Sequence, residues 1–279
     1  MRILFLGDVV GRSGREGVLR HLPGLRERLR PDFIILNGEN AAGGFGITDK
    51  IAAEFFAAGV DCITLGNHSW DQKDLVGQID RLPNLIRPIN YPEGTPGRGH
   101  TVLPSRNGRY KVLVVNAMGR VFMDPMDDPF AAVEKVLKIH QLGGARMGPA
   151  GVDAAVLDFH GEATSEKMGM GHVLDGRVSL VVGTHSHVPT ADTQILSGGT
   201  AYQTDAGMCG DYDTVIGMKK EAAIWRMTRK IPGERFSPGE NDAMVTVCGV
   251  YVETDDRTGL AKRAEAVRVG GRLKEAAGI

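Results

Sequence analysis

The sequence contains few cysteines, carries almost no net charge and has no long apolar segment. Its three cysteines, Cys62, Cys209 and Cys248, are odd in number and far apart, and no CxxC pair occurs. This spacing argues against a disulfide framework and a thiolate zinc site, and it favours reduced thiols. The 33 Lys and Arg residues nearly balance the 34 Asp and Glu residues, so that the formal charge is −1. The total charge therefore gives no sign of nucleic acid, a membrane surface or a polyanion as a partner.

We expect neither a membrane-spanning segment nor an export signal. No stretch of 18 or more apolar residues occurs, and the first segment, MRILFLGDVVGR, becomes polar too early for a signal peptide. We therefore expect a cytoplasmic protein with no membrane partner. Residues 231–242 form the most linker-like segment, but the strands on either side are too few for separate cores. Residues 1–279 are thus expected to form one domain, with 231–242 as a surface loop.

Short apolar segments alternate with amphipathic ones along most of the chain. The apolar segments predict strands at residues 2–6, 33–36, 62–65, 111–116, 153–159 and 178–182. Helical spacing lies between them, at residues 15–29, 48–58, 129–142 and 163–169. A turn-rich segment joins two further strands, which are expected to pair in antiparallel fashion, at residues 245–253 and 260–269. The alternation favours an α/β layered sheet.

Polar residues directly follow five of the predicted strands, at the position where ligands bind in open α/β sheets. They comprise two acidic residues, two asparagines and four of the eight histidines: Asp8, Glu39, Asn40, Asn67, His68, His160, His185 and His187. A sheet built only for burial has no reason to gather them, since each unpaired buried polar group costs about 1–3 kcal/mol. We therefore predict a metal site at this edge. The remaining histidines lack this placement and are expected to be structural or solvated: His21, His100, His140 and His172.

The types of candidate ligand indicate which metals the site would hold. Cysteine is absent from the set, which argues against a thiolate zinc site and an iron–sulfur cluster. Imidazole together with carboxylate and amide oxygens suits iron, manganese or zinc. The candidate ligands are more numerous than one ion needs, so we expect two ions that share a carboxylate. Such pairs serve the hydrolysis of phosphate esters.

Taken in order, the strand-end motifs resemble the signature of the calcineurin-like metallophosphoesterase superfamily. They are GD at residues 7–8, NGEN at 37–40, GNH at 66–68, a single histidine at 160 and GTHSH at 183–187. The longer segments GDVVGRSGR, NGENAAGGFGI, TLGNHSWD, DFHGEATSEK and GTHSHVPTAD are similar to the bacterial YmdB subfamily, and this similarity covers nearly the whole chain. The resemblance implies a four-layered α/β/β/α sandwich and a 2′,3′-cyclic-nucleotide phosphodiesterase activity.

Two positions depart from the superfamily signature, and the resemblance implies that the YmdB subfamily shares these departures. Val10 stands where the superfamily has a histidine, and Glu39 replaces the bridging aspartate, with Asn40 beside it. The amide oxygen of Asn40 can take the place of the missing histidine. Because an amide is a harder and weaker ligand than imidazole, this change favours iron, or alternatively manganese, over zinc.

The resemblance also implies a role for each site residue. The ligands of the first ion would be Asp8, Glu39, Asn40 and His187. The ligands of the second ion would be Glu39, Asn67, His160 and His185. A water or hydroxide that bridges the two ions would attack the phosphorus. His68 follows a ligand without being one, so it would face the substrate and protonate the leaving oxygen.

The loop at residues 7–14 has two interpretations. It follows a strand and opens a helix, as a dinucleotide-binding turn does, but its glycines lack the G-x-G-x-x-G spacing. Asp8 within it would also repel a pyrophosphate. We expect the glycines to let the loop pass near the metals, with Arg12 or Arg15 contacting the substrate phosphate.

Other segments near the predicted site also leave two interpretations open. The glycine-rich residues 41–46 and 201–213 either frame the nucleotide or form tight turns between strands. Glu162 and Glu166 lie close to His160 in the sequence. They either orient a metal ligand or cap the helix that follows.

These features predict a hydrolase that opens a small 2′,3′-cyclic nucleotide to a nucleoside 3′-monophosphate. The near-neutral charge agrees better with a small substrate than with long RNA. Two alternatives stay open: a broader phosphodiesterase or phosphomonoesterase using the same site, and a regulatory protein that senses a nucleotide through its metals. His68 favours an enzyme, because a protein that only binds needs no acid. A homo-oligomer is compatible with the sequence.

Overall fold

A computed structural model describes residues 1–276 as two β-sheets with helices packed against them. The strands are β1 (Arg2–Val9), β2 (Phe33–Asn37), β3 (Cys62–Thr64), β4 (Leu85–Ile86), β5 (His100–Pro104), β6 (Lys111–Met118), β7 (Ala154–His160), β8 (Leu180–Thr184), β9 (Gln194–Ile195), β10 (Ala201–Gln203), β11 (Met208–Asp211), β12 (Val245–Thr254) and β13 (Ala261–Val269). The α-helices are α1 (Gly11–Leu29), α2 (Asp49–Ala58), α3 (Pro129–Ile139), α4 (Thr164–Val173) and α5 (Lys220–Arg229). Short 3₁₀ helices lie at Lys73–Gly77, Ile79–Arg81, Gly144–Met147 and Asp242–Met244.

Parallel pairing dominates the centre of both sheets. Sheet A has the order β13-β12-β11-β1-β2-β3-β4, and sheet B has the order β5-β6-β7-β8-β10-β9. The strands β1, β2 and β3 run parallel in sheet A, and β6, β7, β8 and β10 run parallel in sheet B. Their carboxyl ends therefore lie along one edge of each sheet. The α/β class is confirmed, as is the antiparallel pair at the C-terminal end, β12 and β13.

Alternate residues of β1 belong to different hydrophobic cores, which shows how the layers are stacked. Ile3 and Phe5 pack between the two sheets, where they share a core with Val112 of β6. Leu4 and Leu6 point to the other side of sheet A and pack with α1 and α2. A third core joins the outer face of sheet B to α3 and α4. Three cores separate four layers, so the predicted α/β/β/α sandwich is confirmed.

Capping residues explain where two of the predicted helices begin. The hydroxyl of Thr48 accepts a hydrogen bond from the backbone N–H of Ile51 at 3.3 Å, at the start of α2. The carboxylate of Asp128 accepts from the N–H groups of Phe130 and Ala131 at the start of α3. No helix among residues 1–276 has the length and apolar character that crossing a membrane requires.

The structure differs from the predicted elements in several places. The strand predicted at residues 2–6 continues to Val9, so Asp8 lies inside β1 instead of after it. Residues 201–213, which we expected to form a glycine-rich loop or turns, contain β10 and β11. The sequence patterns also missed α5 and the short strands β4, β5 and β9. The strands β4 and β9 have two residues each, which is too short for a periodic pattern in the sequence.

Candidate metal centre

Hydrogen bonds join the two sheets at the edge where the predicted site lies. The side-chain amide of Asn37, at the end of β2, donates to Oδ2 of Asp158 in β7 at 3.0 Å. The hydroxyl of Thr64, at the end of β3, donates to the same oxygen at 2.5 Å. All three residues are fully buried. These bonds hold the ends of the two sheets together and place their polar side chains side by side.

Three predicted ligands converge on one atom of a fourth, Nε2 of His160. This atom lies 2.9 Å from Oδ1 of Asn67 and 3.1 Å from Oε1 of Glu39. Nδ1 of His185 is also 3.1 Å away. Two of these side chains come from sheet A and two from sheet B, as the strand-end argument predicts. We call these four residues the first donor group.

In His160 and His185, a contact to one ring nitrogen determines that the other nitrogen faces the first donor group. Nδ1 of His160 lies 2.9 Å from the hydroxyl of Thr184, which itself donates to Oδ1 of Asp158 at 2.7 Å. That hydroxyl therefore accepts from Nδ1–H, and Nε2 of a neutral His160 carries the lone pair. Nε2 of His185 lies 3.3 Å from Oε2 of Glu162, which leaves Nδ1 directed at the group. Such outer contacts orient metal ligands in many proteins.

A second donor group shares Glu39 with the first and contains Asp8, Asn40 and His187. One oxygen of Asp8, one of Glu39 and a ring nitrogen of His187 lie within 4.8 Å of one another. Nε2 of His187 is 3.3 Å from Oδ1 of Asn40 and 4.0 Å from Oδ1 of Asp8. Its Nδ1 donates to the backbone carbonyl of Ile216 at 2.8 Å, so Nε2 is again the nitrogen with the lone pair.

Two observations show that these residues fit a pair of cations. Oδ1 of Asp8 is buried and has no hydrogen-bond partner among the described residues. A buried carboxylate oxygen without a partner is costly, and a cation would satisfy it. At Gly66, an added Cβ would lie 2.3 Å from Oε2 of Glu39 and 2.4 Å from Nε2 of His160. The glycine keeps open the space between the donors.

The pKa values of the site reflect several ionisable groups buried together. Burial raises the pKa of Asp8 well above its ordinary value. Burial acts in the same direction on Glu39, but the charge of His160 and its hydrogen bond lower the pKa of Glu39 to about 2. Burial alone would lower the pKa of His160, whereas Glu39 and Asp8 raise it to about 9. Burial and the charge of His160 together lower the pKa of His185 to about 3. A nearby positive charge therefore stabilises the ionised forms of Asp8 and Glu39.

The segment that carries His185 and His187 has a strained backbone and is firmly anchored. The φ angles are 98° at His185 and 64° at His187, in the region that favours glycine. Such conformations cost about 1–3 kcal/mol each and persist where the surroundings enforce them. Here the N–H of Ser186, between the two histidines, donates to Oδ2 of Asp205 at 3.0 Å. The buried ammonium of Lys167 pairs with the same oxygen at 2.8 Å.

Both donor groups open onto a cleft of about 340 Å³, and His68 lies on its wall. Nδ1 of His68 donates to the carboxylate of Asp71 at 2.7 Å. The His68 ring packs edge-to-face on Phe45, with ring centroids 5.1 Å apart. The backbone N–H of His68 donates to Oε2 of Glu39 at 3.0 Å. His68 therefore stands beside the shared carboxylate without belonging to either donor group. Apolar walls of the cleft are formed by Phe45, Ile216, Met218 and Phe236.

The two glutamates near His160 have different environments. Glu162 contacts His185, so it orients a predicted ligand, and the N-cap of α4 is Ala163, which makes no side-chain cap. Glu166 accepts from the backbone N–H groups of Arg120 and Val121 and holds the loop after β6. Neither glutamate caps the helix.

Arg12 and Arg15, expected near the substrate phosphate, do not line the cleft. His21, His100, His140 and His172, which were not expected at the site, do not line it either. The glycines at 7 and 14 serve packing, because an added Cβ would meet the carbonyl oxygens of Gly207 and Cys209 at 1.8 and 2.3 Å.

Sequence reasoning missed several residues that build the site. Residues 231–242, predicted to be a surface loop, contribute Phe236 to the wall of the cleft. A single aromatic residue in a loop rich in Pro and Gly gives no signal of that role. Asp158 was detectable, because an acidic residue inside an otherwise apolar strand needs buried partners. The ion pair of Lys167 and Asp205 joins residues 38 positions apart, and neither position stands out in the sequence.

A family model of YmdB-like proteins matches residues 4–267. The chain belongs to the YmdB-like family. A 2′,3′-cyclic-nucleotide 2′-phosphodiesterase of Bacillus subtilis is 46% identical over 269 residues, which cover 96% of this chain and 97% of that protein. The resemblance noted in the sequence is thereby confirmed.

Two solved structures share the fold over nearly their whole length. A hypothetical protein of Thermus thermophilus is 38% identical with a TM-score of 0.86, and the match covers 98% of this chain and 100% of that one. A protein of Mycoplasma pneumoniae, described as a novel phosphatase, is 31% identical, also with a TM-score of 0.86. That match covers 97% of this chain and 93% of the other. The four-layered fold is thus common to this chain and both structures.

Proposed function

We propose that this chain hydrolyses 2′,3′-cyclic nucleotides to nucleoside 3′-monophosphates with two metal ions bound at the strand-end edge. The observation that carries the proposal is the pair of donor groups that share Glu39 and open onto one cleft beside His68. The Bacillus subtilis relative is a phosphodiesterase by name and matches nearly the whole chain. This relationship bears out the prediction that the chain is a phosphoric diester hydrolase.

Each donor group would hold one ion. The second donor group would supply the ligands of one ion, and the first donor group would supply the ligands of the other, with Glu39 common to both. Nitrogen and oxygen donors without sulfur suit iron, or alternatively manganese. When bound, the ions would neutralise the charge of the phosphate and increase the acidity of water. The protein holds these donors in place through Thr184, Glu162 and the carbonyl of Ile216.

His68 would donate a proton to the leaving oxygen. Its Nδ1–H bond to Asp71 fixes the ring and leaves Nε2 free to meet the substrate. In the imidazolium form, Nε2 carries the proton that is transferred. Packing against Phe45 restricts the ring further. Asp71 is thus a positioning residue, whereas His68 acts on the substrate itself.

The reaction consumes one water molecule. Water attacks the phosphorus of the cyclic ester, and the bond from phosphorus to the 2′-oxygen breaks. The proton of His68 goes to the 2′-oxygen, and the phosphate stays on the 3′-oxygen. A proton released from the attacking water returns through solvent to restore His68. The apolar walls at Met218 and Phe236 leave room for a base beside the reacting phosphate.

The decisive experiment compares His68→Ala with His172→Ala, an exposed histidine of α4 that lies outside the cleft. Both are assayed with 2′,3′-cAMP, 3′,5′-cAMP and a phosphate monoester, and metal content is measured in parallel. We expect His68→Ala to keep its metals and to lose roughly 10²–10⁴-fold in kcat on 2′,3′-cAMP. His172→Ala should resemble the wild type, with 3′-AMP as the product. Turnover of the monoester alone would instead indicate a phosphomonoesterase.

A further inference from the structure

A second groove adjoins the metal cleft and shares two of its walls. Phe45 and Phe236 line both, and the second groove encloses about 750 Å³. We call it the flanking groove; its other walls include Gly43, Trp70, Gln72, Lys73, Arg226 and Arg235. The metal cleft of about 340 Å³ lies at the lower end of the sizes that hold one small ligand, roughly 300–1,000 Å³. The flanking groove provides space that a single nucleotide does not need.

The flanking groove has a local excess of positive charge. Lys73, Arg226 and Arg235 carry three positive charges, whereas Asp71 is the acidic residue among its lining residues. Asp71 is already paired with His68. Within residues 1–276, none of the three cations forms a salt bridge. The chain as a whole is nearly neutral, so this concentration of unpaired cations marks a place where a negative group would bind.

Flat aromatic surfaces lie next to these cations. Trp70 is half-buried and packs edge-to-face on Tyr91, with ring centroids 6.0 Å apart. The guanidinium of Arg226 lies 4.2 Å from the centroid of the Phe236 ring. Cations beside aromatic rings are the combination by which proteins bind single-stranded nucleic acid, since bases stack on the rings and phosphates meet the cations.

We propose that the flanking groove binds the nucleotide on the 5′ side of the cyclic phosphate, so that the enzyme acts on short oligoribonucleotides that end in a 2′,3′-cyclic phosphate. This inference rests on the proposed function, because the cyclic phosphate must occupy the metal cleft. The 2′- and 3′-oxygens of the terminal ribose are both esterified to the phosphorus of that cyclic phosphate. The 5′-oxygen is the remaining ribose oxygen through which the chain can continue. The next phosphodiester would meet Arg226 and Arg235, and the next base would stack in the groove.

The test compares adenosine 2′,3′-cyclic phosphate with the dinucleotide ApA 2′,3′-cyclic phosphate. For the wild-type enzyme we expect kcat/KM to be at least about tenfold higher for the dinucleotide, given the usual contribution of one stacked base. In Arg226→Ala and Arg235→Ala this ratio should fall towards one. Arg229→Ala is the matched control, since it changes an arginine of α5 that does not line the groove, and it should keep the wild-type ratio.

Binding of the products gives the same comparison without turnover. Calorimetric Kd values for 3′-AMP and for ApA 3′-phosphate should differ by a similar factor in the wild type and in Arg229→Ala, but not in the two groove variants. A wild-type ratio near one for both rate and binding would overturn the inference and leave the proposed function standing. Equal losses for both substrates in the groove variants would also overturn it, because the groove would then serve the first nucleotide. If neither substrate is hydrolysed, the proposed function itself is wrong.

Discussion

Nε2 of His160 lies 3.1 Å from Oε1 of Glu39, although the two residues belong to different sheets. Glu39 follows β2 of sheet A, and His160 is the last residue of β7 in sheet B. The contact between them exists because Asp158, two residues before His160, binds Asn37 and Thr64 across the same gap. The site is therefore a property of the interface between the two sheets.

Glu39→Gln should remove both ions, since Glu39 is the one residue common to the two donor groups. We expect metal content to fall from about two ions per chain to near zero, and hydrolysis of 2′,3′-cAMP to be lost with it. Elemental mass spectrometry of the purified variant measures the loss. Glu54→Gln, an exposed change on α2, is the control and should retain both ions. A fully loaded Glu39→Gln would contradict the shared-ligand assignment.

Gly66→Ala should disrupt the first donor group while leaving the fold intact. The added Cβ would stand 2.3 Å from Oε2 of Glu39 and 2.4 Å from Nε2 of His160, so one of them must move. We expect loss of metal and activity with a native circular dichroism spectrum. Gly24→Ala in α1 meets open space and should change neither. Normal metal binding by Gly66→Ala would show that the donors are less tightly placed than described.

Asp71→Asn should lower kcat through His68 alone. Its carboxylate orients the ring by the 2.7 Å bond to Nδ1, and the asparagine amide supports that orientation less well. We expect a smaller loss of kcat than for His68→Ala, with unchanged metal content. In a double-mutant cycle, Asp71→Asn added to His68→Ala should cause almost no further loss. Additive losses would mean that Asp71 acts on the substrate independently.

Lys167→Met should destabilise the protein and loosen the segment that carries His185 and His187. The change leaves the buried carboxylate of Asp205 without its cationic partner, which typically costs about 3–5 kcal/mol. Urea denaturation should show a clearly lower midpoint for the variant. Lys220→Met is the comparison, because its ion pair with Asp213 has the same 2.8 Å length but is exposed to solvent. Equal shifts for the two variants would argue against a structural role for the buried pair.

The strand ends of the fold were predictable because apolar segments and the polar residues after them are adjacent in the sequence. This adjacency was enough to place Asp8, Glu39, His160 and His185 at one edge, even though β1 runs further than its apolar segment suggests. The same alternation of segments was also enough to predict the α/β class. The four layers followed from the family resemblance, since nothing in the sequence pairs sheet A with sheet B.

The remaining parts of the site depend on contacts between distant segments. Phe236 reaches the cleft from a loop whose composition suggests only solvent exposure. The carbonyl of Ile216 fixes the tautomer of His187 from 29 residues away, and backbone groups leave no trace in the sequence. Lys167 would be expected on the surface of a helix, yet it is buried against Asp205. Such contacts become visible only once the chain is folded.

The most direct test of the account is metal content measured on the same purified sample that is assayed for hydrolysis of 2′,3′-cAMP. The donor groups predict about two iron or manganese ions per chain, with turnover that stops when a chelator removes them and returns when they are added back. A protein that binds no metal, and gains no activity from added Mn²⁺ or iron, would contradict the central claim. The cluster around Glu39 would then be a buried hydrogen-bond network with no catalytic role.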